Sequence, residues 1–422
     1  MSNQEKMTIN ERYKYLRMMK KRYQRANKQE KGRLLAEMEE ITGQHHKSLI
    51  RAMNGHLERQ PRCQQRGNSY GPEVDDALRV IAESMDYICA ERLTPCLVPI
   101  AQQLAKHGEL QLNPQLVQAL AEISVSTVRR HLQHLSQDQP KLSNKKASAG
   151  KPLTRDIPMK RIPRQQDQPG HIEVDLVHHC GDNASGEYLH TLQLIDVATG
   201  WSERVAVLGR SFRVMEAGFK HCFCRLPFVP LEFHSDNGSE FLNQHLLRFL
   251  REAYPEAIIS RSRPYQKNDN RLVEQKNASL VRAYLGYDRF DTVQHANLLN
   301  RIYDKMWWYY NFCQPVMRLQ GKKTITTEDG SIRIKRAFDK SQTPFDRLCA
   351  TKVLSEDEQR RWQTLREQIN PRQLRREIQA LLDQFFSLPR AVPGVSENVF
   401  DTFPIPLTIL KGEDFLVTLS SD

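Results

Sequence analysis

The sequence predicts a multidomain protein in three parts. All-α helix-turn-helix units come first, a central α/β core with a mixed sheet follows, and a small β-hairpin with helices closes the chain. Three observations predict this. The 422 residues suffice for two to four domains. Apolar residues recur at helical spacing up to about residue 137 and change to strand alternation mixed with helical stripes from His171. The charge is uneven: residues 1–170 hold 29 Lys and Arg against 18 Asp and Glu, whereas residues 171–290 hold 14 against 15.

Nearly all of the net charge of +12 therefore sits in the N-terminal part. A basic end beside a neutral core suggests a polyanionic partner, most simply nucleic acid; a merely basic soluble protein is the alternative that charge alone leaves open. Eight scattered cysteines, with Cys222 and Cys224 the one tight pair, argue for a reducing compartment and against a disulfide framework or a paired-cysteine zinc site. No apolar run approaches the ~18 residues of a membrane span, and the first residues are charged throughout. A cytoplasmic protein that engages no membrane is expected.

The first helical unit, 1–60, carries an apolar stripe through Leu34, Leu35, Met38 and Ile41, a turn at Gly43, and a second helix bearing Lys47 and Arg51. The second unit, 73–137, repeats the pattern: a helix through Leu116 and Leu120, a break, and a helix that Ser124 or Ser126 can cap. Val125, Val128 and Leu132 would pack inward there, leaving Thr127, Arg129, Arg130 and His131 to face a groove. Either hairpin alone could be an ordinary helical pair; two in series in the most basic stretch favour DNA recognition. The linker, 138–168, holds Lys145 and Lys146 among eight basic residues and three prolines over 141–165. It reads as a solvated tether or a strap along DNA phosphates.

Within 169–290 the expected order is β-β-β-α-β-α-β-α. Strands are expected over Ile172–Val177, Tyr188–Val197, Trp201–Leu208, Leu231–Asp236 and Ala257–Ser260, and the last helix over Asn270–Leu285. Region 291–390 should contain a helix over Thr292–Phe312, a hairpin over Ile325–Arg336 turning at Asp329-Gly330, and two charged helices; 391–422 reads as an irregular tail.

Asp175 lies mid-strand among apolar residues, Asp236 at a strand end, and Glu274 on the last core helix beside a buried side formed by Val273, Leu280 and Tyr284. An unpaired carboxylate in an apolar strand is costly to bury, and three converging carboxylates repel unless cations lie between them. Hard oxygen ligands without a Cys/His cluster favour Mg²⁺ or Mn²⁺, and two ions about 3.5–4 Å apart are common in phosphoryl transfer.

The runs Ile172–Asp175, His234–Phe241 and Ser262–Glu274 resemble the catalytic core of the Asp-Asp-Glu superfamily of retroviral integrases and bacterial insertion-sequence transposases. Sixty residues lie between the two aspartates and 37 between Asp236 and Glu274. Tyr310-Asn311, Pro315 and Thr343-Pro344 resemble the segment that follows this core in the transposases. The resemblance spans about 170–350. It implies an RNase H-like fold and a catalytic, metal-binding triad of Asp175, Asp236 and Glu274 that holds two Mg²⁺ or Mn²⁺ ions. It further implies a bacterial mobile-element enzyme of DNA recombination, associated with the nucleoid. Such an enzyme binds element ends, cleaves to a 3′-OH and joins that end to double-stranded target DNA as a homo-oligomer. Two departures stand out. No paired cysteines accompany His45 and His46, and Ala278 and Val281 occupy positions where the retroviral enzymes carry lysines. Lys267, Arg271, Lys276 and Arg282 are then the local substitutes for gripping DNA. An RNase H-like nuclease without strand transfer, or a non-catalytic DNA-binding regulator, are the competing functions. His178, His179 and Cys180 read as strand-end packing rather than a metal site, and Trp307–Tyr310 as helix core.

Overall fold

The computed structural model describes residues 7–57, 70–135, 140–142, 167–235, 244–261, 270–326, 332–392, 394–395 and 397–402. It divides into two compact units, Met1–Ser69 and Tyr70–Asp422. None of the helices among the described residues is long and apolar enough to cross a membrane.

Among the described residues the first unit holds three helices: α1 (Ile9–Arg25), α2 (Lys28–Thr42) and α3 (His46–Asn54). Thr8 with Glu11, and Asn27 with Glu30, form reciprocal capping boxes that start α1 and α2. Gly43 ends α2 at φ 64°, a left-handed conformation that glycine adopts without strain, and so turns the chain into α3. Leu16, Met19, Leu34, Leu35, Met38, Leu49 and Met53 fill the core. Lys47, Ser48, Arg51 and Asn54 then share the exposed face of α3.

The second unit opens with α4 (Pro72–Ser84), α5 (Ala90–Leu93), α6 (Leu97–Lys106), α7 (Pro114–Glu122) and α8 (Val125–His134). Asn113 caps α7, and Ser124 caps α8 by accepting the Thr127 amide at 3.2 Å. Val128 is fully buried beneath α8, with Val125 and Leu132 packed around it. Two residues expected to face outward are engaged within the protein. The His131 ring meets Asp75 on α4, and the Arg129 guanidinium meets Glu91 on α5. Arg130 stays exposed and donates along its own helix to the Thr127 hydroxyl at 3.3 Å.

The core follows the predicted order. β1 (His171–His178), β2 (Leu189–Asp196) and β3 (Ser202–Leu208) precede α9 (Phe212–Phe223), β4 (Glu232–Ser235), α10 (Gln244–Ala253), β5 (Ile258–Arg261) and α11 (Arg271–Lys276). The five strands form one mixed sheet, ordered β3-β2-β1-β4-β5. β1, β2 and β3 pair antiparallel; β4 and β5 run parallel to β1. A chain that crosses through α9 and α10 must return in the same direction, whereas the short links within β1–β3 reverse it. Helices cover both faces, so β2 and β3 are buried along their whole lengths. Gly218 lets α9 lie close: a Cβ there would stand 3.3 Å from both Leu192 and Val205.

The long helix expected to end at Leu285 is not uniform. After α11 the backbone takes a π-helical path over Asn277–Arg282 and closes as a short α12 (Ala283–Leu285). α13 (Val293–Trp308) likewise passes into a π-helical segment, Tyr309–Cys313. Two asparagines from this element complete the open edge of β3. The Asn300 carboxamide exchanges hydrogen bonds with both backbone groups of Ala206 (2.7 and 2.9 Å), and Asn311 does the same with Ser202 (3.0 and 3.1 Å). The edge is thereby closed to another strand. Trp307, Trp308, Tyr309 and Tyr310 are buried helix core, as expected.

The hairpin strands are longer than the sequence suggests. β6 (Leu319–Thr326) pairs with β7 (Ile332–Phe338), and β6 begins six residues before the expected start. Its first half, with Gly321 and two lysines, has no apolar alternation to announce a strand; pairing with β7 makes it one. The Asp329-Gly330 turn lies outside the described residues. α14 (Pro344–Ala350), unforeseen, starts at a Thr343–Asp346 capping box, and α15 (Glu356–Gln368) and α16 (Pro371–Ser387) follow.

α16 joins α4–α6 to the core. Arg372 pairs with Glu83 at 2.8 Å and with Glu109 at 3.2 Å, and the buried Arg375 reaches Asp86 at 3.2 Å. Tyr309 and Gln314 donate to the carbonyls of Ser84 and Met85 at 2.8 and 3.2 Å.

Candidate active site

β1 is the central strand, and alternation along it sets Glu173 and Asp175 on one face. Asp175 lies opposite Gln193 of β2, which lies opposite Arg204 of β3. Glu173 lies beside His234 of the parallel strand β4. β4 ends at Ser235. Asp236, the next residue, lies outside the described residues, as do Lys267, Lys145 and Lys146.

α11 docks on β1 through two side-chain bonds. The Val273 amide donates to Glu173 Oε2 at 2.9 Å, and Asn277 Nδ2 donates to Asp175 Oδ2 at 2.6 Å. The Leu176 amide donates to Asp175 Oδ1 at 2.9 Å, so both carboxylate oxygens of Asp175 are held. Val273 is buried against the sheet while Glu274, the next residue, is exposed. Asp175, half-buried, and Glu274 thus lie on elements that pack against each other.

The π-helical segment adds two further ties. Arg204 donates to the Leu280 carbonyl at 3.3 Å, and Arg282 donates to the His178 carbonyl at 2.7 Å. A π-turn breaks the regular carbonyl-to-amide ladder, and such segments gather at functional sites. Here the segment starts at the asparagine that grips Asp175.

The electrostatics are those of a crowded polar face. Burial pushes the Glu173 carboxyl up to about 7, against the opposing pull of the Val273 and Leu272 amides and Arg271. Burial, with Arg92, Arg204, Arg318 and Arg347 nearby, brings the Lys276 amine down to about 7. Lys276 is half-buried among other cations, not extended from the surface, whereas Arg271, at the start of α11, is exposed. Lys47 and Arg51 lie exposed on α3 of the first unit, and Thr127, Arg129 and Arg130 lie on α8. Among the described residues, Arg271, Glu274 and Lys276 share α11, the helix docked on the strand of Asp175, while Lys47, Arg51, Thr127, Arg129 and Arg130 lie on other helices.

His178, His179 and Cys180 close the strand. His179 is fully buried, and its Nε2 meets the Thr191 hydroxyl at 2.8 Å, which meets the Tyr303 hydroxyl at 2.7 Å. Burial holds this imidazole far below its usual range, as a neutral packing group.

The donors near Asp175 suit a hard divalent cation. Asp175 and Glu274 supply carboxylate oxygens, and the buried Asn277 Oδ1 has no hydrogen-bond partner among the described residues. The described residues alone contain no group of three or more metal-ligating side chains. Sequence reasoning missed Glu173, Asn277 and Arg204. Glu173 stands two places before Asp175 and so shares its face, the one signal available beforehand.

No family model matches the sequence. An uncharacterized protein, y4rM of Sinorhizobium fredii, is 33% identical over 305 residues, covering 72% of this chain and 87% of that protein. Among solved structures, the catalytic core domain of BIV integrase aligns with a TM-score of 0.21 and 15% identity, covering 26% of this chain and 64% of that one, a little under two thirds of its length. The HTLV-2 integrase catalytic core domain, a dimeric form in complex with magnesium, aligns with a TM-score of 0.26 and 21% identity, covering 35% of this chain and 90% of that one.

Proposed function

We propose that this chain, which belongs to the family of the uncharacterized protein y4rM of Sinorhizobium fredii, is a DNA transposase of the Asp-Asp-Glu type. It acts on double-stranded DNA, cleaves at element ends to leave a 3′-OH, and joins that end to target DNA. The observation that carries the reading is the docking of α11 on β1, which brings Glu274 to the strand of Asp175 through the Asn277–Asp175 and Val273–Glu173 bonds. Asp236 follows directly on β4, the parallel neighbour of β1.

Asp175, Asp236 and Glu274 would hold two Mg²⁺ or Mn²⁺ ions. Such ions, when bound, neutralise the charge that develops on a phosphodiester undergoing in-line displacement. The chain's own contribution is orientation. Asn277 and the Leu176 amide fix the Asp175 carboxylate in one plane, and Glu173 fixes the start of the helix that presents Glu274. The exposed faces of α3 and α8 would carry DNA recognition, with Lys47, Arg51, Thr127 and Arg130 toward the duplex. Arg271, exposed at the start of the helix of Glu274, would meet DNA near the reacting phosphate, and Lys145, Lys146 and Lys267 would add phosphate contacts. Joining two ends at once calls for a homo-oligomer on DNA.

The test is an oligonucleotide assay with the ends of the DNA that flanks the gene. Asp175→Asn, Asp236→Asn and Glu274→Gln should each abolish cleavage and joining while leaving DNA binding intact. Near-normal joining by Glu274→Gln would remove Glu274 from the triad. Cleavage by the wild type without joining of pre-cleaved ends would leave a nuclease instead.

A further inference from the structure

α11 starts without a local cap. Asn270 occupies the N-cap position, yet its side chain makes no capping bond. Its carboxamide is buried, with neither atom bonded among the described residues. The first amides of a helix have no partner within the helix and need an acceptor from elsewhere. Glu173 supplies it from β1. Its Oε2 accepts the Val273 amide at 2.9 Å, and the Leu272 amide also acts on this carboxylate. Glu173 is only 8% exposed, so solvent cannot take over the task.

The origin of the cap matters. An Asn270 cap would satisfy the same amides, but it would travel with the helix and say nothing about where the helix lies. A cap that comes from β1 satisfies the amides only when α11 sits at one height against the sheet. Asp175 is two residues further along the same face of that strand, and Glu274 follows Val273 directly. One side chain therefore spans the two elements that carry the candidate ligands.

We propose that Glu173 is a positioning residue: by capping α11 from β1 it sets Glu274 at the separation from Asp175 that a divalent ion requires. The inference rests on the two-ion reading of the site. It gives the residue before Val174 a role in metal affinity rather than in chemistry. In this role Glu173 acts through α11, by the bond from the Val273 amide.

The experiment compares Glu173→Ala with Glu173→Gln in the full chain. Mn²⁺ binding is followed by calorimetry, and Mn²⁺-dependent cleavage of an end-DNA duplex is followed in parallel. A glutamine keeps a carboxamide oxygen of equal reach that can accept the Val273 amide; an alanine does not. The half-saturating Mn²⁺ should rise about tenfold or more in Glu173→Ala, the usual size of an effect on metal affinity from an outer partner. It should stay within about threefold of wild type in Glu173→Gln, with the KM for DNA unchanged in both. If Glu173→Ala does not fold, Glu173→Asp replaces it, with the same charge on a stem one methylene too short, and the same rise is expected. A folded Ala or Asp variant with the wild-type midpoint would reduce Glu173 to packing and overturn the proposal, as would a glutamine variant as impaired as alanine. A wild type that binds Mn²⁺ but never cuts DNA would sink the transposase reading alone, because the binding comparison still decides the role of Glu173. A wild type that binds no Mn²⁺ would sink both.

Discussion

Asn277 and Asp175 are joined by one short hydrogen bond, 2.6 Å from carboxamide nitrogen to carboxylate oxygen, across the gap between α11 and β1. The bond turns the second Asp175 oxygen toward the helix that carries Glu274, while the Leu176 amide holds the first. Asn277 can do this because it opens the π-helical segment and faces the sheet.

Asn277→Ala should therefore free one oxygen of Asp175 without removing a candidate ligand. The expected loss is about 10–100-fold in Mn²⁺ affinity or joining rate, the scale of an outer-shell deletion. Asn277→Asp should be worse at low metal, since a second carboxylate at hydrogen-bond distance repels the first. Joining assays over a Mn²⁺ titration measure both; an alanine variant within twofold of wild type would make the bond incidental.

The recognition helices should contribute unequally, residue by residue. Lys47→Ala, Arg51→Ala and Arg130→Ala should each weaken binding to end DNA and lower the slope of log K against log salt by about 1. Arg129→Ala should change that slope less than Arg130→Ala, because Glu91 already holds the Arg129 guanidinium. Fluorescence anisotropy at several salt concentrations reads the slopes. Equal slopes for the two α8 variants would mean that Arg129 leaves Glu91 for DNA.

Stability should carry a pH signature from Glu203. This β3 residue accepts the indole N–H of Trp201 and of Trp307 at 2.7 and 2.6 Å and lies 3.3 Å from Arg225. Burial outweighs these partners and pushes its carboxyl up to about 7. The folded state then keeps a proton that the unfolded chain has released. Its contribution is fully present below the ordinary carboxylate range, about pH 4.5, and is lost as pH rises through about 7. Glu173 acts with the same sign. His221 acts oppositely: burial takes it down to about 4, so its contribution is present above about 6.5 and is lost as pH falls toward 4. The difference between wild type and Glu203→Gln isolates one group. Between pH 5 and 7.5 the fall in urea-unfolding free energy should be smaller in the variant by roughly 1–3 kcal/mol. An unchanged difference would mean that Arg225 keeps Glu203 ionised throughout.

Removing the buried arginine of α16 should destabilise the second unit sharply. Arg375 is 1% exposed and pairs with Asp86, and it also donates to the Pro140 carbonyl. Arg375→Ala leaves Asp86 buried without its cation, at a cost of about 3–5 kcal/mol. Adding Asp86→Asn removes the stranded charge and should recover part of the loss. Chemical denaturation of both variants tests this; no recovery would assign the loss to packing.

Much of the core was legible in the sequence because it is written in short-range periodicity. Alternation over Ile172–Val177 marks β1, and the stripe through Val214, Met215, Gly218, Phe219 and Cys222 marks α9. An aspartate inside one of those apolar runs marks itself as costly. Tertiary structure decided what links residues far apart in the chain. Glu173 and Val273 are 100 residues apart, and Asn277 is 102 from Asp175. The vacant cap at Asn270, the π-turn at Asn277, the pairing of Arg129 with Glu91 and the joining of α4–α6 to the core by Arg372 and Arg375 leave no periodic trace. Local spacing determines which faces of helix and strand are apolar, since burial acts on each element through its own repeat. The polar partners that align those elements are chosen only when the elements meet, since a hydrogen bond depends on the position of two groups and not on the pattern of either.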